Sequence, residues 1–180
     1  MRVFLVRHPR PSVAAGICYG STDVAVDEHE LARVAAAVRQ TAPAAGALFS
    51  SPLARCAALA RRLEQAPCQL DPRLAELHFG AWEMCAWDDI PRADIDAWAA
   101  DPVHYRPGGG ESVLQMAARV QAFRIDLMRQ ACCAAVLVCH AGTIRLMTAL
   151  HHGSSLEASA HQAAATPHKI GYGDIVALDF

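Results

Sequence analysis

Short apolar runs of strand length alternate along this chain with longer segments of helical periodicity. The runs cover residues 2–6, 47–50, 68–70, 134–139 and 175–178. Apolar runs of this length without polar alternation are typical of strands that are buried on both faces of a sheet. The alternation therefore predicts an α/β fold, a three-layer α/β/α sandwich with a mostly parallel central sheet.

Helix signals fill the segments between these runs. Asp27, with Glu30 three residues later, predicts a capped start for a helix over 28–41. Ser51, which is followed by a proline, predicts the start of a second helix that extends to about Gln65.

Further helices are expected over 111–130, where an apolar stripe has helical spacing, and over about 143–151. Residues 9–26 and 71–110 contain many prolines and glycines and are expected to be loops, the second with short helical pieces. Within it, the tract 87–102 is rich in Trp and Asp and predicts a helical cap over the edge of the sheet. A surface helix that merely packs its two indoles explains this tract equally well.

Size and charge limit what the chain can do. With 180 residues, 53% of them hydrophobic, we expect a single domain over 1–180 with a cap segment around 80–110. The net charge of -2 provides no basic field for a nucleic-acid partner. No apolar stretch reaches the roughly 18 residues that cross a bilayer, and no signal segment is recognisable. We expect a cytoplasmic protein with no membrane partner, and its oligomeric state stays open, a homodimer included.

Cysteines and histidines give little indication of metal binding. The seven cysteines are an odd number and form no Cys-x-x-Cys pair, which argues against a disulfide scaffold and a zinc site. His151, His152 and His161 are a weak alternative, because adjacent helical histidines point in different directions and rarely bind one ion. We therefore expect free thiols, no metal and no cofactor.

Polar and charged residues follow the carboxyl ends of the predicted strands. Arg7 and His8 follow the first strand, Ser50 and Ser51 end the second, and His140 follows the fourth. The carboxyl ends of parallel strands lie at one edge of the sheet, where α/β proteins bind ligands. We expect these side chains to gather there although they are far apart in sequence.

The gathered residue types suit a metal-free phosphoryl transfer, which needs a nucleophile, cations for the equatorial oxygens and an acid for the leaving oxygen. His8 provides a nitrogen nucleophile, Arg7 and Arg55 provide paired planar donors, and His140 is a further donor if it is protonated. Arg55 also lies near the start of the helix expected after Ser51, where free N–H groups favour an anion. A loop histidine and a surface arginine explain each residue singly, so spacing alone does not decide.

Five segments in order resemble the landmarks of the histidine phosphatase superfamily, and together they cover nearly the whole chain. They are LVRHPRP (5–11), SSPLARC (50–56), LAELHFGAWE (74–83), PGGGES (107–112) and VCHAGTIR (138–145). The resemblance implies a phosphoglycerate mutase-like fold and a metal-independent phosphatase that acts on a small-molecule phosphate ester through a phosphohistidine.

The resemblance also implies roles for individual residues. His8 is the phosphate acceptor, Glu76 is the proton donor, and Arg7, Arg55 and His140 form the phosphate pocket. Glu76 has apolar neighbours in the sequence, an environment in which a carboxyl group can act as an acid near neutrality. An exposed loop carboxylate is the alternative.

Weaker expectations concern the rim of the pocket. Gly142 lets the backbone approach the phosphate closely, and Ser112 or Glu111 lines the mouth. Pro9 departs from the family, which usually shows glycine there, and it removes an N–H that could bind phosphate. We expect His8 to carry little packing at this rim, so that His8→Ala removes turnover while the protein stays folded.

Within the superfamily, the RHPRP opening, CYGSTD (18–23) and LHFGAWEM (77–84) are similar to the branch that acts on α-ribazole 5′-phosphate in cobalamin nucleotide-loop assembly. A broad-specificity phosphatase and a catalytically silent binding module are alternatives. So is a phosphoglycerate mutase, which must also bind a carboxylate. Few additional basic residues are available for that purpose: Arg10, Arg73, Arg92 and Arg106.

Overall fold

Five strands form one sheet in the computed structural model, which describes residues 1–42, 46–63, 67–153, 155–167 and 169–180. The strands are β1 (Arg2–Arg7), β2 (Ala47–Ser50), β3 (Cys68–Leu70), β4 (Ala134–Cys139) and β5 (Ile175–Asp179), in the order β3-β2-β4-β1-β5. The pairs β1–β4, β4–β2 and β2–β3 are parallel, and β5 is antiparallel to β1. The predicted mostly parallel sheet is confirmed.

Helices cover both faces of this sheet. They are α1 (Glu28–Thr41), α2 (Ala54–Leu63), α3 (Arg92–Ala100), α4 (Val113–Leu127), α5 (Ala141–His152) and α6 (Leu156–Ala165). Because strand side chains alternate between faces, Val3 and Leu5 of β1 pack in one apolar cluster with α4, α5 and α6. Phe4 and Val6 pack in the other cluster with α1 and α2. The predicted three-layer sandwich is therefore present, and burying each such side chain stabilises it by about 1.5–3 kcal/mol.

Some helix boundaries differ from the predictions. Asp27 caps α1 as predicted and accepts hydrogen bonds from the N–H groups of His29 and Glu30. The helix predicted directly after Ser51 instead begins at Ala54, and its predicted end at Gln65 lies outside the described residues.

Two further helices, α4 and α6, also differ from what the sequence predicts. Helix α4 is shorter than predicted and starts with a capping box, in which Ser112 and Gln115 exchange hydrogen bonds. Helix α6, which begins after a capping Ser155, has no counterpart among the helices expected from the sequence.

The long loop segment contains short helical pieces, as predicted. Single 3₁₀ turns lie at 72–74, 80–82, 87–89 and 107–109, and α3 follows the third of them. An antiparallel bridge between Ile17 and Ala86 joins this segment to the loop after β1. Both loops are thus held beside the carboxyl edge of the sheet. Within the described residues, no helix is both long and apolar enough to cross a membrane.

Candidate active site

A cavity of about 380 Å³ opens at the carboxyl edge of the sheet, and five of the predicted site residues meet there. Arg7, His8, Arg55, Glu76 and Gly142 all line it. The rings of His8 and His140 lie 5.1 Å apart, centroid to centroid. The expected gathering of residues from distant parts of the sequence is therefore observed.

The ring of His8 is held in one tautomer. Its Nδ1 lies 2.7 Å from the carbonyl oxygen of Pro9, and because a carbonyl only accepts, Nδ1 carries the proton and Nε2 keeps a free lone pair. Burial, followed by the positive charge of Arg55, lowers the pKa of His8 to about 3. The ring is therefore neutral near pH 7, as a nucleophile must be, and Pro9 contributes a carbonyl where it lacks an N–H.

The packing of His8 differs from the sequence-based expectation. Only 2% of its surface is exposed, because Cys139 on the neighbouring strand accepts from its backbone N–H and the ring of Tyr172 lies 5.6 Å away. A substitution here changes a buried environment, so the prediction that His8 carries little packing is wrong.

Arg55 is fully buried and is not the surface residue that its helical position alone would indicate. Its Nη1 donates to the carbonyl of Thr22 at 2.8 Å, and its Nη2 donates to the carbonyl of Gly20. The expected cap at Ser51 is replaced by Asp23, whose carboxylate accepts from the N–H of Ala54 at 2.6 Å. The Arg55 cation thus faces the cavity from a fixed position.

Arg7 is held by the carboxyl-terminal part of the chain. Its Nη1 donates to the carbonyl of Ile170, and its guanidinium lies 3.9 Å from the ring centroid of Tyr172. The Tyr172 hydroxyl in turn lies 2.8 Å from that of Tyr19. The Nε atoms of Arg7 and Arg55 are buried without an acceptor among the described residues, an arrangement that favours an incoming anion.

His140 lies at the end of β4 and is fully buried. Its Nε2 is 2.9 Å from the hydroxyl of Ser51. Burial, followed by electrostatic interactions with His8 and Arg55, keeps the pKa of His140 well below the ordinary histidine value. His140 is therefore neutral near pH 7 and is not the protonated ring considered from the sequence.

Glu76 is held in place by backbone donors. Its Oε2 accepts from the N–H of Gly142 at 3.1 Å and its Oε1 from the N–H of Leu77 at 3.0 Å. A Cβ at Gly142 would lie 2.2 Å from Oε1. A side chain at position 142 would displace the Glu76 carboxylate, which is a different reason for glycine from the expected close approach to phosphate.

The loop that carries Glu76 is bound by Arg119 of α4, a residue that the sequence analysis did not identify. Arg119 donates to the carbonyl groups of Arg73, Ala75 and Glu76 and forms an ion pair with Glu111 at 2.7 Å. Arg119 therefore anchors the backbone that carries Glu76.

Ser112 and Glu111 do not have the predicted position. Neither is among the described residues that line the cavity. The hydroxyl of Ser112 accepts from the N–H of Gln115 as the cap of α4, and Glu111 binds Arg119. Both residues support the loops around the cavity, and neither contacts its interior.

A second carboxylate that the sequence analysis did not identify, Glu83, orders the loop that holds Arg55. It accepts from the N–H and the hydroxyl of Ser21, from the hydroxyl of Thr22 and from the N–H of Phe79. Its pKa is lowered, since these donors outweigh its burial. Glu83 thereby joins 18–23 to the Glu76 loop. Glu83 lies within two of the segments that resemble the superfamily, 74–83 and 77–84. This is the one sequence signal that could have identified it.

Metal ligands are not grouped in the part of the chain that the structure describes: no three His, Cys, Asp or Glu side chains there could hold one ion. The seven cysteines are all free. Of the predicted residues, those that line the cavity are His8, Arg7, Arg55, Glu76 and Gly142. His140 is not among the described residues of the lining, and it contacts the site through the ring of His8.

Comparison with known proteins agrees with this arrangement. The model of a family described as histidine phosphatase superfamily (branch 1) matches residues 3–172. Adenosylcobalamin/alpha-ribazole phosphatase of Escherichia coli is 34% identical over 101 residues, which are 54% of this chain and 50% of that protein. The chain thus aligns with half the length of this relative. The Salmonella typhimurium protein of the same name is 29% identical over 160 residues, 83% of this chain and 78% of that protein.

A solved structure extends the likeness to the whole fold. The alpha-ribazole phosphatase from Shigella flexneri superposes with a TM-score of 0.84 at 25% identity, over 99% of this chain and 90% of that one.

Proposed function

This chain belongs to the histidine phosphatase superfamily, branch 1, and from that membership we propose that it is a phosphomonoesterase working through a phosphorylated His8. The observation that carries the proposal is the neutral His8 ring, whose Nδ1–H is bonded to Pro9 so that Nε2 is free beside two guanidinium groups. A nitrogen lone pair next to fixed cations is what attack on a phosphate ester requires.

The proposed reaction has two steps. Nε2 of His8 attacks phosphorus, the bond from phosphorus to the ester oxygen breaks, and Glu76 donates a proton to the departing alcohol. Water then attacks the phosphohistidine as Glu76 takes a proton from it, which releases inorganic phosphate and restores neutral His8. Arg7, Arg55 and the His140 N–H stabilise the negative charge on the equatorial oxygens.

The physiological ester that we propose is α-ribazole 5′-phosphate, used in cobalamin nucleotide-loop assembly. Support comes from the names of the relatives and from the similarity of residues 18–23 and 77–84 to that branch. In this chain the two segments are held together, because Glu83 accepts hydrogen bonds from the N–H groups of Ser21 and Phe79.

Mutase activity is the rival that the contacts disfavour. A mutase needs additional cations for a second acidic group, and three of the four arginines considered for this are already paired. Arg73 binds two aspartates, Arg92 binds Asp96, and Arg106 binds the carbonyl groups of 109 and 110. Arg145 lines the cavity, but its guanidinium donates to two carbonyl groups at the end of α6. These pairings favour water as the final acceptor.

The decisive experiment compares wild-type protein with His8→Asn and with the exposed-histidine control His29→Asn. Wild type and control should release phosphate from p-nitrophenyl phosphate and retain a phosphoryl label during turnover. His8→Asn should lose both signals while its circular dichroism spectrum stays native. Turnover by His8→Asn would overturn the proposal. When a phosphoglycerate is added as acceptor, transfer of the label to it, with little release of phosphate, would favour the mutase.

Two general properties stay proposals. Seven free thiols support a reducing, cytoplasmic location, which fractionation of expressing cells would test. A homodimer stays a prediction that light scattering at several concentrations would test.

A further inference from the structure

The cavity has an apolar part that the proposed chemistry does not use. Next to His8 and the two arginines, most of its lining is hydrophobic and includes Phe79, Trp87, Trp98, Val113, Met116 and Leu146. A phosphate group occupies only a small fraction of about 380 Å³. The alcohol part of the ester must therefore lie against this apolar lining.

Three rings of this lining form one aromatic wall, consisting of Phe79, Trp87 and Trp98. The two indoles are nearly parallel, with 9° between their planes and 6.1 Å between their centroids. Phe79 meets both edge-on, at 5.7 Å and 5.9 Å. Contact distances of about 3.5 Å on each side would require roughly 7 Å to insert a third ring between the indoles, so a ligand ring stacks on the wall and does not enter it.

Packing alone does not account for the wall. Trp82 behind it is 5% exposed and contacts both other indoles, as expected of a structural tryptophan. Trp87, in contrast, is 36% exposed, and none of the residues of α3, which carries Trp98, is buried. A helix that served only to bury its indoles would cover them, whereas here they face the cavity.

The wall is also held at a fixed place relative to the phosphate site. The N–H of Trp87 donates to the carbonyl of Gly16 at 2.9 Å, and Ala86 is bridged to Ile17. Two residues after Ile17 is Tyr19, whose ring centroid lies 5.3 Å from the Arg55 guanidinium. The backbone of residues 16–19 thus connects Trp87 to the tyrosine ring that contacts Arg55.

We propose that the aromatic wall is a binding subsite for a flat aromatic base on the alcohol side of the substrate. The proposal rests on the phosphatase function above and assigns these side chains to the base of a nucleoside 5′-phosphate. The base stacks on the indoles while the phosphate meets His8, and α-ribazole 5′-phosphate, with its benzimidazole base, belongs to this class.

Three substrates with the same 5′-phosphate test the proposal: α-ribazole 5′-phosphate, AMP and ribose 5-phosphate, which has no base. Wild type should give a higher kcat/KM for at least one base-bearing ester than for ribose 5-phosphate. In Trp87→Ala this advantage should fall about tenfold, the usual scale for losing one stacking partner of a base. The kcat/KM for ribose 5-phosphate should stay within about twofold.

Further variants separate stacking from folding. Trp87→Phe keeps an aromatic face and should retain most of the advantage, and Trp98→Leu should reduce it as Trp87→Ala does. Met128→Ala removes an exposed apolar side chain outside the cavity and should match wild type.

The outcomes distinguish this proposal from the function on which it rests. An advantage for AMP but not for α-ribazole 5′-phosphate, lost in Trp87→Ala, would overturn the physiological substrate and support the wall. The wall is overturned if wild type shows no advantage for either base, or if Trp87→Ala and Trp98→Leu both keep it. Loss of activity in His8→Asn is independent of each of these results.

Discussion

Glu76 must donate a proton in the first step of the proposed reaction and accept one in the second. Its oxygens face two backbone N–H groups and line the cavity. We predict that Glu76→Gln slows phosphoryl transfer from an alkyl ester such as ribose 5-phosphate by about 10²–10⁴-fold, the usual contribution of a general acid. Rapid-quench measurement of the first turnover checks this.

A substrate with a good leaving group provides the control for that prediction. Nitrophenolate departs without a proton, so Glu76→Gln should still release it in a burst from p-nitrophenyl phosphate, followed by slow hydrolysis of the phosphohistidine. Equal losses in the first turnover of both substrates would mean that Glu76 positions the ester and does not act as its acid.

At the scale of single residues, the sequence predicts groups that follow strand ends better than groups that support them. His8 and His140 are neighbours because parallel strands end at one edge of the sheet. Tyr172 holds Arg7 from 165 residues further along the chain, and no local pattern marks such a contact. The prediction that Ser112 lines the pocket is wrong for a related reason, since the same hydroxyl can either cap a helix or line a pocket.

Two loops meet at the scale of elements, and their glycines make the contact possible. A Cβ on Gly110 would lie 2.1 Å from the carbonyl oxygen of His78, whereas one on Gly109 would meet nothing within 4 Å. We predict that Gly110→Ala destabilises the protein by about 2–3 kcal/mol, because backbone must move to relieve the overlap. Since His78 is two residues from Glu76, kcat should fall as well.

Gly109→Ala is the matched control. Gly109 has a φ of 74°, so an alanine there should cost only about 1–2 kcal/mol of left-handed strain. Urea unfolding of both variants, together with kcat for p-nitrophenyl phosphate, makes the comparison. Equal destabilisation, with kcat unchanged in both, would show that the loops do not depend on this close approach.

Elements whose signals are local are the ones that the sequence predicts best. Helix α1 begins where Asp27 caps it, and the strands lie where the apolar runs are. Helix α2 begins three residues after Ser51 because Asp23, from a distant loop, accepts from the N–H of Ala54. The boundary is thus set by a tertiary contact, which overrides the local capping signal.

Across the whole molecule, the sheet and the helices on both faces remove His8 and His140 from water and place them beside Arg7 and Arg55. The resulting low pKa values keep both rings neutral. That neutrality serves the proposed chemistry, but it has a consequence for stability that any unfolding experiment can measure. An unfolded histidine binds a proton below about pH 6.5, and the folded protein does not allow this at either position.

The free energy of unfolding should therefore fall as the pH falls. Between pH 6 and 5 the unfolded state binds more protons than the folded state, which retains a pKa of about 3 at His8, so stability rises with pH throughout this window. Each buried histidine contributes a slope of about 1 kcal/mol per pH unit. We predict that His8→Asn reduces the slope by that amount in urea titrations at pH 5 and 6. An unaltered slope in His8→Asn would mean that the ring accepts a proton in the folded protein and is not the neutral nucleophile that the mechanism requires.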